Sequence, residues 1–154
     1  MKLKTKLDKG AILPTRAHSH DGGLDLYSPH DIYLPGCHVF NDKSKLKYTV
    51  SAGMVCIDTG VHVAIPEGFV GDIKSKSGLM VKNNITTDGT IDCGYTGSIV
   101  VKLFNHGSEG LYIKKGQKIA QLVIKSIITP EPELVDSLDD TERGEGGFGS
   151  TGAF

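Results

Sequence analysis

An all-β fold, built from many short strands as a sandwich or barrel, is what this 154-residue chain predicts. Three observations carry that expectation. Val55-Cys56-Ile57 and Val61-His62-Val63-Ala64-Ile65 are short β-branched runs, closed by the turn residues Asp58-Thr59-Gly60 and Pro66-Glu67-Gly68. Further on, apolar and polar residues alternate with period two, the pattern of a strand with one face on a core. No βαβ rhythm appears, which argues against a doubly wound sheet.

The elements follow in chain order. The basic start, Met1-Lys2-Leu3-Lys4-Thr5-Lys6, leads into no apolar stretch, so no signal peptide is expected. Phe40 to Ala52 is an excursion between strands with a lysine cluster at Lys43, Lys45 and Lys47. It reads either as a plain hairpin extension or as a surface for a regulatory protein partner. Gly78 to Asn83 is the best helix candidate, with Ser77 as its N-cap. So short a helix must be held by tertiary packing. Gly89 to Gly97 reads as a hairpin carrying Asp92 and Tyr95. Ser98 to Phe104 is a strand with Ile99, Val101 and Leu103 on one face and Lys102 on the other. Lys118 to Lys125 alternates again, Ala120, Leu122 and Ile124 against Gln121 and Lys125. Beyond Ile128 the composition changes. Pro130 and Pro132 bracket an extended stretch, and Asp136 to Glu142 is acidic and polar. The expected organisation is a β domain over 1–128, a connector over 129–142 and a Gly-rich arm over 143–154.

Bulk properties exclude several classes. The length suits one domain with a sizeable core. A net charge of -1 leaves no basic footprint for duplex nucleic acid. No apolar run approaches the ~18 residues of a membrane span. Cys37, Cys56 and Cys93 are odd in number and widely spaced, which argues against a disulfide framework and fits a reducing cytoplasm.

The arm, Arg143-Gly144-Glu145-Gly146-Gly147-Phe148-Gly149-Ser150-Thr151-Gly152, cannot build a core. Its composition suits an anionic ligand with a flat aromatic part. Glycine N–H groups form anion nests, the Arg fork matches phosphate oxygens, and Phe148 offers a stacking face. A frayed Gly-rich tail is the other reading, and an arm that orders on binding satisfies both. His18-Ser19-His20 could place two imidazoles on one ion, but no partner pair lies at suitable spacing, and solvated loop histidines are the simpler reading.

Four more segments look chemically loaded. Gly22-Gly23-Leu24-Asp25-Leu26 leaves room around a carboxylate. Lys74-Ser75-Lys76-Ser77-Gly78 sets cations and hydroxyls at a helix start. Gly89-Thr90-Ile91-Asp92-Cys93-Gly94-Tyr95-Thr96-Gly97 carries an Asp and a Tyr. Gly116-Gln117-Lys118-Ile119-Ala120-Gln121-Leu122 puts a Gln on a strand's polar face. Taken alone, Asp92 also fits a turn-fixing Asp, and Tyr95 a core residue at a hairpin end.

With the arm, and in this order, these segments resemble the five motifs of the trimeric dUTPase family, from about Ala11 to Gly152. The resemblance implies a jelly-roll-like β-barrel with one short helix and an extended C-terminal arm, assembled as a homotrimer with shared active sites. It implies hydrolysis of dUTP to dUMP and pyrophosphate with Mg²⁺, which keeps uracil out of DNA and supplies dUMP for thymidylate synthesis. Asp92 matches the general base that activates a water against the α-phosphorus. Main-chain groups of Gly89 to Ile91 match those that pair with uracil, and Tyr95 the ring under the deoxyribose. Lys76, Ser77, Gly78 and Gln121 fall where the phosphate chain is held. Arg143, Phe148, Gly149, Ser150 and Thr151 match the arm that closes over the nucleotide. Asp25 matches an acidic residue near the metal, acting through its water shell, while substrate phosphates hold the Mg²⁺.

This chain departs from the family pattern at three arginines, with Lys76, Thr96 and Lys118 in their places. Lys keeps the charge but not the bidentate fork, so phosphate affinity is expected to lean on Arg143. Two other readings stand beside the hydrolase. One is a related dCTP deaminase, in which this Phe-bearing arm is not expected. The other is a nucleotide-gated protein that engages a partner through residues 40–52. The expected location is the cytoplasm, or a host's cytoplasm or nucleus for a viral chain.

Overall fold

The computed structural model describes residues 2–42, 47–51 and 53–147, with backbone alone for 39–42 and 47–51. The first strands are β1 (Lys4–Leu7), β2 (Gly23–Tyr27), β3 (Ile32–Leu34), β4 (His38–Asp42) and β5 (Lys47–Ser51). Next come β6 (Gly53–Asp58), β7 (Val61–Ala64), β8 (Phe69–Ser75) and helix α1 (Ser77–Asn83). The chain continues through β9 (Ile85–Thr86), β10 (Asp88–Ile91), β11 (Val100–Asn105), β12 (Leu111–Ile113) and β13 (Lys118–Ser126).

All described strand pairs are antiparallel. A four-stranded sheet runs β10-β8-β13-β2 and a three-stranded sheet runs β6-β11-β9. Three ribbons, β1-β7, β3-β12 and β4-β5, complete the jelly-roll-like shell. The two larger sheets bury Leu26, Ile73, Ile91 and Leu122 in one cluster with Ile57, Val101 and Leu103. Each such side chain contributes about 1.5–3 kcal/mol on leaving water, which makes this cluster the main support of the site. Cys37, Cys56 and Cys93 are free thiols.

Three local expectations change. The stretch 89–97 is not a hairpin. β10 pairs with β8, whereas β11 pairs with β6 and β9, so residues 92–99 arch from one sheet to the other. Ile91 and Ile99 both enter the core at the feet of this arch, and burying both favours the crossing over a tight return. Ser77 does not cap α1. The cap position is Lys76, with φ -75 and ψ 119; its ammonium has no acceptor to offer a helix N–H and reaches Asp25. In β13 the alternation breaks at its start. The register against β2 shifts between Lys118 and Ala120, so Ile119 and Ala120 are both buried.

Residues 40–52 fall largely in the β4-β5 ribbon, which joins no other described strand. Residues 43–46 and 52 lie outside the described residues. The stretch 129–142 has no strand or helix and is exposed throughout. No described helix is long and apolar enough to cross a membrane.

Candidate active site

Asp25 is the organising group. It lies on β2 and is 1% exposed, so its charge must be paired. Lys76 Nζ meets Oδ1 at 2.6 Å and Lys118 Nζ meets Oδ2 at 2.7 Å. Gln121 Nε2 donates to Oδ1 at 3.3 Å from the neighbouring strand. Burial acts to raise the Asp25 carboxyl, but hydrogen bonds from Lys118, Lys76 and Gln121 outweigh it and hold the group below the usual carboxylate value. The same contact holds Lys118 above the ordinary lysine value.

Cross-strand register extends this cluster into a row. Gln121 stands opposite both Asp25 and Lys74, and Lys74 opposite Asp88. Lys74 Nζ pairs with Asp88 Oδ1 at 2.6 Å. One step along, Lys125 pairs with Asp72. Ser77 and Gly78 open α1 beside Lys76, both exposed.

The second half of the site lies around the arch. Thr90, Ile91, Asp92, Tyr95, Ser98 and Val100 line a cavity of about 230 Å³. Asp92 is exposed at the end of β10. Tyr95 is 46% exposed, a wall of the cavity rather than a core residue. Its hydroxyl donates to the Ser98 carbonyl at 3.0 Å. The ring folds back over Gly97, where any Cβ would collide with it, so that glycine shapes the arch. A cavity of about 300 Å³ opens beside Asn84 and Asn105 and includes none of the predicted site residues. Gly89 lies within β10, opposite Ile73. β10 is the edge of its sheet, so half of its main-chain groups face away from β8.

The predicted residues therefore form two groups, one around Asp25 and one around Asp92. Arg143 stands apart, its Nε donating to the Gly146 carbonyl at 2.8 Å. Phe148, Gly149, Ser150 and Thr151 lie outside the described residues. Sequence reading missed the pairing of Lys118 with Asp25, since nothing local signals it across a β-bulge. No three His, Cys, Asp or Glu side chains converge to hold a metal among the described residues, and His18 and His20 are exposed. Both Asp25 oxygens are engaged by lysines. This donor set suits an ion carried by substrate phosphates rather than a protein cage.

A β-barrel with lysines gathered on a buried carboxylate, and a carboxylate and tyrosine at a separate cavity, has the cations and the aromatic wall that suit a phosphorylated nucleoside. The dUTPase family profile matches residues 9–152, and the chain belongs to that family. The chain is 45% identical to the deoxyuridine 5'-triphosphate nucleotidohydrolase of Gloeothece citriformis, covering 99% of this chain and 97% of that one. It is 43% identical to that of Clostridium tetani, over 97% and 96% of the two chains. Among solved structures it resembles the dUTPase of Staphylococcus bacteriophage 80alpha bound to dUpNHpp. The TM-score is 0.81 at 31% identity, over 98% of both chains. It also resembles a mutant dUTPase of phage phi11 that shows the coordination of a structural Mg(II) ion. There the TM-score is 0.74 at 27% identity, over 91% of this chain and 100% of that one. The chain is accordingly a dUTP diphosphatase, releasing dUMP and pyrophosphate from dUTP.

Proposed function

We propose that dUTP is hydrolysed at sites shared between the subunits of a homotrimer. One observation carries this reading. Asp25 on β2 and the Asp92 end of β10 belong to opposite edges of one four-stranded sheet. Asp25 is in register with Asp88, so three strand spacings across and the run from Asp88 to Asp92 along the strand put them roughly 20 Å apart. The phosphate-holding group and the base of one chain thus suit two different pockets, each completed by a neighbour.

Within such a pocket the roles divide by chemistry. Lys76, Ser77, Gly78 and Gln121 hold the phosphate chain, with Asp25 fixing Lys76 and Lys118 in place. Mg²⁺, carried mainly by the phosphates, supplies charge neutralisation when bound. Asp25, its oxygens already bound to two lysines and Gln121, would meet the water shell of that ion through a remaining lone pair. Outward main-chain groups of Gly89 to Ile91 pair with the uracil edge, and Tyr95 packs against the deoxyribose where a 2′-OH would sit. Asp92 orients a water in line with the α-phosphorus and accepts its proton. The new P–O bond forms as the α–β bridging bond breaks, and pyrophosphate leaves. Arg143, Phe148, Gly149, Ser150 and Thr151 close over the nucleotide and exclude water. The free thiols fit a reducing cytoplasm.

Subunit mixing tests the shared site. D92N and a chain lacking residues 143–154 are each expected to be inactive. Co-refolded, they should recover pyrophosphate release from dUTP, because mixed trimers contain intact pockets. No recovery from mixed trimers would show that each subunit works alone. The same assay with dCTP, dTTP and UTP reads the selectivity.

A regulatory partner at residues 40–52 is a second reading, favoured by the β4-β5 ribbon pairing only with itself among the described strands. A partner whose capture survives deletion of the ribbon would end it.

A further inference from the structure

His62 on β7 has an acceptor at each ring nitrogen. Nε2 lies 3.0 Å from Asp8 Oδ2, and Nδ1 lies 2.8 Å from the Thr96 carbonyl oxygen. A carboxylate and a carbonyl only accept, so both contacts are hydrogen bonds only when both nitrogens carry protons, that is, in the imidazolium form. Neutral imidazole must turn a lone pair toward one of these oxygens. Thr96 is the residue after Tyr95, in the arch.

The rest of the arch foot is sewn to the same corner. Ile99 N–H donates to the Val61 carbonyl at 2.8 Å, and Thr59 N–H to the Ile99 carbonyl at 3.0 Å. Ser98 Oγ donates to Asp58 Oδ1, while the Ser98 carbonyl receives the Tyr95 hydroxyl. Of these ties, the one to Thr96 alone depends on a group that titrates near neutrality.

We propose that His62 is a positioning residue for dUTP hydrolysis: protonated, it ties Thr96 to Asp8 and holds the arch with Tyr95 in the shape that receives the nucleotide. This rests on the reading that the arch carries Tyr95 and Asp92 to the substrate. The charges around the ring act both ways. Asp8, on the chain after β1, and Asp58, at the end of β6, favour the cation; Lys6, directly opposite on β1, opposes it. Lys4 lines the cavity beside the ring. The hydrogen bond to Asp8, and then that to Thr96, raise the imidazole above its ordinary value. A raised value means that the tie is complete at acid pH and is lost as pH climbs through it, above the usual ~6.5.

The position of the arginine usual in the family after this tyrosine is taken by Thr96, so the arch carries no cation of its own there. His62 supplies one from the neighbouring strand. The cavity of about 250 Å³ lined by His62, Lys4, Lys6 and Thr96 leaves room for a longer side chain. An Arg at 62 would keep two donors and a permanent charge.

The test is kcat/KM for dUTP against pH in wild type, H62Q, H62R and Y95A. Ionisation of the nucleotide is common to all four, so ratios isolate His62. Wild type should exceed H62Q by about tenfold near pH 6, the scale of one hydrogen bond to a charged group, and converge with it by about pH 9. H62R should hold the acid-side ratio across the range. A wild-type to H62Q ratio that stays constant with pH would overturn the proposal. Full activity in Y95A would instead sink the site assignment beneath it. Should H62Q fail to fold, NMR titration of wild type and D8N decides. The imidazole should titrate above ~6.5, fall in D8N, and carry the Thr96 and Tyr95 amide shifts with it. Amide shifts that ignore the imidazole would refute the tie.

Discussion

Lys76, the cap residue of α1, ion-pairs with Asp25 of β2 at 2.6 Å across 51 positions of chain. The contact defines what a lysine does in this place. An ammonium group is a point charge, and here part of its field is spent on a carboxylate. Lys118 neutralises the other oxygen at 2.7 Å.

Removing the Asp25 charge should therefore destabilise the fold in a pH-dependent way. D25N leaves two lysines without their counter-ion, costing about 1–3 kcal/mol after allowance for their partial exposure. The folded carboxyl lies below its ordinary value of 3.8, so its contribution is present above that pH and is lost as pH falls through the lowered value. Thermal unfolding from neutral to acid pH should show the wild-type advantage over D25N closing only below about pH 4. An equal gap at every pH would mean that packing, not charge, is what D25N loses.

Asp92 is expected to matter for turnover and not for binding. D92N should retain dUTP affinity while kcat falls at least ~100-fold, the scale of positioned general base catalysis. Binding by calorimetry beside pyrophosphate release separates the two. Near-normal turnover would remove Asp92 from the role of base.

Arg143 has no partner beyond its own turn among the described contacts, its Nε donating to the Gly146 carbonyl. R143A should lower kcat/KM by roughly 10- to 100-fold through loss of a bidentate phosphate contact. Deleting 143–154 should abolish most activity with little change in Tm, since residues 129–145 are exposed. A large fall in Tm would make the arm a structural element.

Gly71 on β8 tests the packing beneath the four-stranded sheet that supports the site. A Cβ there would lie 2.9 Å from Leu122 Cδ1, 3.2 Å from Ile65 Cδ1 and 3.3 Å from Ile91 Cβ. G71A should cost about 1–3 kcal/mol in overpacking, read by denaturant unfolding. Because Ile91 leads directly into Asp92, activity should fall along with stability. A neutral G71A would show that Leu122, Ile65 and Ile91 can shift aside without cost.

The all-β class was legible because strand alternation is a local property. Ile99, Val101 and Leu103 face the core as their spacing requires. The candidate segments could be picked out for a similar reason, since glycines, carboxylates and a tyrosine in fixed order form patterns within ten residues or so of chain. Pairing was not. Whether Gly89 to Gly97 returns on itself or arches to another sheet depends on β8 and β6, which compete for β10 and β11 from elsewhere in the chain. Those partners can be known only once the core closes.

By itself, then, the sequence determined a β protein of the dUTPase family with a Gly-rich arm and a set of candidate phosphate, base and sugar contacts. Tertiary structure alone decided that Lys76 and Lys118 converge on a buried Asp25, that Asp25 and Asp92 sit at opposite edges of one sheet, and that His62 meets Thr96. Local propensity sets which face a side chain takes. Long-range packing sets which charges meet, because burying a charge demands a partner and only the closed fold can bring one.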